Sequence, residues 1–168
     1  MGVVVRMPFE STISQQMKVH HIYLSPRHNF VGRWGKGAAG QEMVEVEAVT
    51  CAAGRGLVGD RYFDHRPDYK GQITFFSMEV FAEMCRELAL QWIRPSSVRR
   101  NVFVSGVDLN AFIGQTFEVQ GLGFEGTESC APCDWMELAV GEGARDFLEG
   151  RGGLRCRILS DGVLRCDA

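Results

Sequence analysis

The chain has 168 residues, 45 % of them hydrophobic and 23 % charged, with a formal net charge of −3. That length suits one domain with a real core. The charge balance argues against a general nucleic-acid binder, which needs a basic face to neutralise phosphates. No apolar run reaches the roughly 18 residues of a membrane helix, so neither nucleic acid nor membrane is an expected partner.

Residues 1–17 read as a loose leader and residues 18–168 as one domain. The leader carries Arg6, a three-valine patch and no small-residue cleavage pattern, so it does not read as a signal peptide. Arg6 also stands where a myristoylation signal needs Ser or Thr. Lys18 to Ser25 predicts a first strand with Val19, Ile22 and Leu24 as its apolar residues. It runs into Pro26-Arg27-His28-Asn29 and a Gly-rich loop through Gly40; His28 reads as an ordinary loop histidine. Met43 to Cys51 alternates, with Val44, Val46 and Ala48 on one side, and predicts a half-buried strand. Gly54 to Asp60 carries three glycines, which implies positive φ or a close backbone approach.

Gln72 to Phe76 predicts a short apolar strand. Ser77 is an N-cap candidate and Glu79 suits a first helical turn. Met78, Phe81, Ala82, Cys85, Leu88 and Ala89 recur at helical spacing, so a helix should run until shortly before Pro95. Asn101–Ser105, Thr116–Gln120, Gly123–Thr127 and Leu154–Leu159 read as strands. Pro132 to Ala139 predicts a short helix with proline in its first turn, and Gly141 to Gly150 a second helical piece. Ser160-Asp161-Gly162-Val163 reads as a hairpin turn. Strands dominate, with a few short helices between them. The expected class is mainly β (α+β), as a closed or partly closed barrel.

Six cysteines without an export signal predict a reducing, cytoplasmic setting. Cys85 falls in a helical apolar stripe, and Cys51 and Cys156 in strand-like runs, so these three read as buried and inert. Cys130-Ala131-Pro132-Cys133 is the sharpest local signal. It has four readings. A helix start at Pro132 would lower the thiol pKa of Cys133 and suit a dithiol oxidoreductase. The pair supplies two of the four ligands of a structural zinc site. A single thiolate at Cys133 suits a soft metal or a carried sulfur. Two small packed cysteines beside a turn are the fourth. Arginines cluster at Arg94, Arg99 and Arg100, and again at Arg151, Arg155 and Arg157, where guanidinium forks can hold a small anion.

The order of short motifs decides among these. Gly56-Leu57-Val58-Gly59-Asp60-Arg61 is followed by Arg99-Arg100-Asn101-Val102, Ser105-Gly106-Val107-Asp108-Leu109, Ile113-Gly114, Cys130-Ala131-Pro132-Cys133 and Gly150-Arg151-Gly152-Gly153. This succession resembles the MOSC domain family, named for the C-terminal domain of molybdenum cofactor sulfurase, over roughly residues 18–166. The resemblance implies a β-rich barrel of the pyruvate-kinase type and association with the molybdenum cofactor, a molybdopterin. It implies that Cys133 is the catalytic thiolate and metal ligand, or the carrier of sulfur. It places Arg99 and Asn101, with Arg100 beside them, at the cofactor's phosphate, and Gly59, Asp60 and Arg61 in the cofactor pocket. It also implies reduction of N-hydroxylated small molecules, with electrons or sulfur delivered by a separate protein. Chemically, a molybdopterin needs arginine forks, exposed backbone amides and a soft ligand, and these residues offer all three. The readings of other class are a zinc or small-anion binding module without turnover, and a dithiol oxidoreductase.

Overall fold

The computed structural model describes residues 17–27 and 42–168. The first sixteen residues of the expected leader, His28 and the Gly-rich loop through Gly40 lie outside the described residues. Met17 is described, and it is buried in the core.

Ten strands are present among the described residues: β1 (Lys18–Leu24), β2 (Val44–Val46), β3 (Ala48–Ala52), β4 (Gly56–Leu57), β5 (Ile73–Ser77), β6 (Val102–Ser105), β7 (Thr116–Val119), β8 (Leu122–Ser129), β9 (Leu154–Ile158) and β10 (Gly162–Arg165). The helices are α1 (Met78–Glu87), α2 (Asp134–Ala139) and α3 (Ala144–Phe147), with 3-10 turns at Pro95–Val98 and Leu109–Phe112. A mainly β chain with a few short helices is therefore what the sequence forms. Among the described residues the hydrogen bonding does not close a barrel. Seven strands form one open sheet in the order β2-β1-β6-β5-β9-β8-β7, and β10-β3-β4 form a second.

Two sheet switches explain why the ladders stay open. The predicted single strand Met43–Cys51 breaks at Glu47. Its first part, β2, pairs with β1, and its second part, β3, pairs with β10 and β4. The break also shifts the side-chain phase, because a one-residue slip exchanges the two faces. Val49 and Cys51 point into the core, while Val44 is exposed. The second switch is the predicted hairpin at Ser160–Val163. β9 pairs with β5 and β8, and β10 pairs with β3, so this turn hands the chain from one sheet to the other. Asp161 holds the switch by accepting a hydrogen bond from the Ala53 amide at 2.8 Å.

β5 and β6 run parallel, and α1 is the crossover that a parallel pair requires. Ser77 caps α1 as expected, its hydroxyl accepting from the Val80 amide at 3.2 Å. Both strands are buried on both faces, which is why they read as continuous apolar runs. Ile73, Phe75, Val102 and Val104 face a core shared with β3, β4 and β10. Phe76 and Phe103 face a second core with Phe81 and Met84 of α1, and with Met136, Val140 and Leu148 around α2 and α3. Among the described residues, no helix is long and apolar enough to cross a membrane.

Candidate functional site

Alternation along β5 and β9 puts Thr74 and Arg155 on the face turned away from the inter-sheet core, and the two are directly opposite each other. They floor a cleft of about 510 Å³, open solvent included. The ends of β1, β4, β6 and β8 supply the rest of the lining, with Ser25, Asp60, Arg61, Arg99 to Asn101 and Cys130.

The cleft gathers four arginines, which differ in how they are held. Arg100 is spent on the protein: it donates to Gly152 O at 2.9 Å and to Val98 O at 3.0 Å. Arg155 is tied to Glu128 at 2.7 Å, and Glu128 also receives Lys70 at 2.6 Å. Burial works against the Arg155 charge, but Cys130, Glu128 and Tyr69 outweigh it and raise its pKa. Arg99 and Arg61 converge on one hydroxyl. Ser25 Oγ accepts from Arg99 Nη2 at 2.9 Å and from Arg61 Nη1 at 3.3 Å. Burial pushes the Arg99 pKa down and the Arg61 charge adds to that, with Tyr62 and Asp60 opposing. A guanidinium stays protonated regardless, so the cleft concentrates positive charge. Arg61 Nε is buried and makes no hydrogen bond within the described residues.

Local structure holds these two cations in place. The 3-10 turn at Pro95–Val98 ends with Arg99 in the left-handed region, φ 53°. That conformation is costly for a branched-out side chain and is kept where its surroundings demand it. The Arg99 guanidinium also lies 5.5 Å from the centre of the Trp135 ring, and Trp135 Nε1 donates to Ser97 O at 3.4 Å. Arg61 sits 4.8 Å over the ring of Tyr62, which stacks on Tyr69 at 5.2 Å, and His65 meets both rings edge-on. Burial and the neighbouring Tyr62 raise the Tyr69 pKa.

Asp60 and Asn101 are buried beneath the arginines. Asp60 accepts from the amides of Ser25 at 2.9 Å and Tyr62 at 3.0 Å. Asn101 Oδ1 accepts from Thr74 N at 3.0 Å and Thr74 Oγ1 at 2.9 Å, and its Nδ2 donates to Tyr23 O at 3.1 Å and Asp60 Oδ2 at 3.3 Å.

The sequence-derived residues thus come together in part. Asp60, Arg61, Arg99, Arg100 and Asn101 line one cleft. Gly59 precedes it, exposed, its φ of +91° turning the chain so that Asp60 faces inward. Cys133 is exposed and outside the lining, at the N-cap of α2, two residues before the Trp135 that covers Arg99. Cys130 is 2 % exposed and inside the lining. Two glycines hold it there. Cys130 N donates to Gly153 O at 2.8 Å, and a Cβ on Gly152 would stand 2.1 Å from Cys130 O. Ser25, Thr74, Tyr62 and Tyr69 carry no motif that sequence reasoning could seize on. Arg155 does: Arg155 and Arg157 alternate with Leu154, Cys156 and Ile158, which marks an arginine face on that strand.

All six cysteines are free thiols. No group of three or more His, Cys, Asp or Glu side chains gathers to hold a metal ion among the described residues. As a host for a molybdopterin, the cleft fits the anionic end: converging guanidiniums, a serine hydroxyl and a buried unpartnered Nε–H are donors suited to phosphate. A thiol lies inside the cleft (Cys130) and a second outside its lining (Cys133), so a soft donor is also close at hand.

This small mainly β domain with an arginine-lined cleft is matched by the MOSC domain family model over residues 58–168. The chain belongs to the MOSC domain family. Every cleft residue discussed above except Ser25 falls within the matched range. No curated protein sequence matches the chain. Among solved structures, it is similar to the YuaD protein from Bacillus subtilis, with 18 % identity, TM-score 0.64, and coverage of 89 % of this chain and 91 % of that one. YiiM from Escherichia coli gives 14 % identity and TM-score 0.61, covering 90 % of this chain and 67 % of that one. YiiM from Geobacillus stearothermophilus also gives 14 % identity and TM-score 0.61, covering 89 % and 71 %. At these identities the likeness shows the fold alone.

Proposed function

We propose that this MOSC domain binds a molybdopterin-type cofactor in the arginine cleft and works through a cysteine at its edge. The observation that carries the reading is the meeting of Arg61 and Arg99 on the Ser25 hydroxyl, in one cleft with Cys130 and Arg155. A phosphate dianion accepts charge-assisted hydrogen bonds from guanidiniums, which are stronger than those a neutral ligand accepts. Arg61 and Arg99 would hold the phosphate. Arg155 and Cys130 also line the cleft. When bound, the molybdenum centre supplies two-electron redox chemistry with oxygen or sulfur transfer.

The chain's own part is to bind, orient and expose. The exposed Cys133, carried over from the family resemblance as the working thiolate, is reachable by an external sulfur or electron donor without unfolding the cleft. N-hydroxylated small molecules are the substrate class this reading favours, in a cytoplasmic setting. The test is metal and pterin analysis of protein purified from a host that makes the cofactor. Near-stoichiometric molybdenum and pterin are expected in the unaltered chain. Both should fall sharply in Arg99→Ala and Arg61→Ala, and molybdenum alone in Cys133→Ala. Protein that carries neither metal nor pterin, with a Cys133 no more reactive than a peptide thiol, overturns the reading.

A further inference from the structure

The amide of Asn101 has two donor hydrogens and two acceptor lone pairs. All four are used inside the protein, by Thr74 N and Oγ1 on one side and by Tyr23 O and Asp60 Oδ2 on the other. Its backbone is also fixed: Asn101 N donates to Thr74 Oγ1 at 2.9 Å, and Tyr23 N donates to Asn101 O at 2.7 Å. A ligand would have to break one of these bonds to reach it. Asp60 is similarly committed, accepting from Ser25 N, Tyr62 N and Asn101 Nδ2. A carboxylate is moreover a poor contact for an anion, since like charges repel.

We infer that Asn101 and Asp60 are positioning residues that never touch the bound anion and act by fixing Ser25 and the Arg61–Tyr62 turn so that two guanidiniums meet on one hydroxyl. The inference rests on the reading that the cleft binds a phosphate-bearing ligand. The relay is continuous. Asn101 joins β1, β5 and the start of β6 and grips Asp60. Asp60 grips the Ser25 amide, while Arg61 N donates to Ser25 O at 2.8 Å. Ser25 Oγ is the point both arginines reach.

The sign of one substitution separates this from plain electrostatics. Asp60→Asn removes a negative charge from an anion site, so charge alone predicts tighter binding. Positioning predicts weaker binding, because an amide in place of Asp60 must turn its NH₂ group toward donors: Ser25 N and Asn101 Nδ2 in one orientation, Tyr62 N in the other.

The experiment titrates inorganic phosphate into the isotope-labelled chain and follows the arginine Nε–H resonances. The proteins are the unaltered chain, Asn101→Ala, Asp60→Asn, the double variant and Arg99→Ala. Each single relay variant should weaken phosphate about tenfold, the scale of one well-aligned hydrogen bond. The double variant should be no weaker than the worse single, since both break one relay. Tighter binding in Asp60→Asn, or multiplying losses in the double variant, overturns the inference and leaves the cleft reading standing. An unaltered chain that phosphate does not perturb overturns the cleft reading instead. Amide exchange without ligand then judges the relay alone. Exchange accelerated in Asn101→Ala at Ser25 and Tyr62, with β8 and β9 unchanged, supports it. Acceleration spread evenly over the large sheet, or none at those two amides, overturns it.

Discussion

Gly152→Ala tests whether the thiol is built into the cleft by close backbone approach. The added methyl would sit 2.1 Å from Cys130 O, more than 1 Å inside ordinary van der Waals contact. Neither side gives way cheaply. Cys130 N is bonded to Gly153 O at 2.8 Å, and Gly152 O holds Arg100 Nε at 2.9 Å. Relief requires the Cys130 and Gly152 segments to part by about 1 Å, stretching both bonds. Overpacking of this kind costs about 1–3 kcal/mol, and two weakened hydrogen bonds add about 1 kcal/mol each. A loss of about 3 kcal/mol is expected, which lowers the melting temperature of a domain this size by about 6–12 °C. The same displacement opens Cys130, so its labelling by an aromatic disulfide reagent should become measurable in the folded protein. Gly150→Ala is the control, because nothing lies within 4 Å of its added methyl, although its φ of +73° still carries a backbone cost of about 1 kcal/mol. Equal melting temperatures for the two variants, with Cys130 still unlabelled in Gly152→Ala, would refute the account of how the thiol is held.

Thiol reactivity should follow exposure: Cys133 reacts first with maleimide, while Cys51 and Cys156 stay unmodified in the native state, burial having pushed the Cys51 pKa to about 11 and that of Cys156 well above its ordinary value. Peptide mapping that finds Cys51 or Cys156 labelled as fast as Cys133 contradicts this packing. Tyr23 should be the last tyrosine to ionise, its pKa raised to about 12 by burial and then by Glu45. Because the folded value exceeds the ordinary value of 10.0, Tyr23 contributes stability below that pH and loses it as pH rises toward about 12; Tyr23→Phe should remove this alkaline step from stability measurements. Ser77→Ala should cost about 1 kcal/mol through the lost cap of α1, and an unchanged urea midpoint would show that the cap does nothing.

Local patterns were legible where one element's burial is decided within the element. α1 shows this: Ser77, Glu79 and the apolar stripe define its start and face, and tertiary packing agrees with them. β5 and β6 were legible for the same reason, as apolar runs buried on both sides. Partner choice was not. The alternating stretch Met43–Cys51 looks like one strand, because the kink at Glu47 has no glycine or proline to announce it. The Asp-Gly pair at 161–162 supports a turn but does not say which strand receives the chain. These two switches are where the described ladders pass from one sheet to the other instead of running on around a closed barrel. The site divides in the same way. Arginine-rich and glycine-rich motifs located Arg61, Arg99 and Arg100 in sequence. Which arginine is consumed by backbone carbonyls, and that Asn101 is saturated, depends on distances between segments more than 20 residues apart. Ser25 carries no signal at all, since its role comes from where β1 ends relative to β4 and β6.

The crowding of charge in the cleft is itself an argument about what the fold is for. Burial works against the Arg99 charge first, and the neighbouring Arg61 charge adds to it. Several arginines outside the cleft are paired with carboxylates. Arg55 has Asp64, Arg145 has Asp134, Arg151 has Glu83 and Arg157 has both Asp68 and Glu125. In the cleft Arg155 is likewise paired with Glu128, whereas Asp60 accepts from the Ser25 and Tyr62 amides. Asp60 thus serves geometry, and the Arg61 and Arg99 guanidiniums converge on the Ser25 hydroxyl. Preorganised positive charge of this kind would be stabilised by an arriving anion. Arg100 has a different part: its hydrogen bonds to the Val98 and Gly152 carbonyls tie the 3-10 turn to the backbone just before β9, and so tie the Arg99 side of the cleft to the segment that holds Cys130.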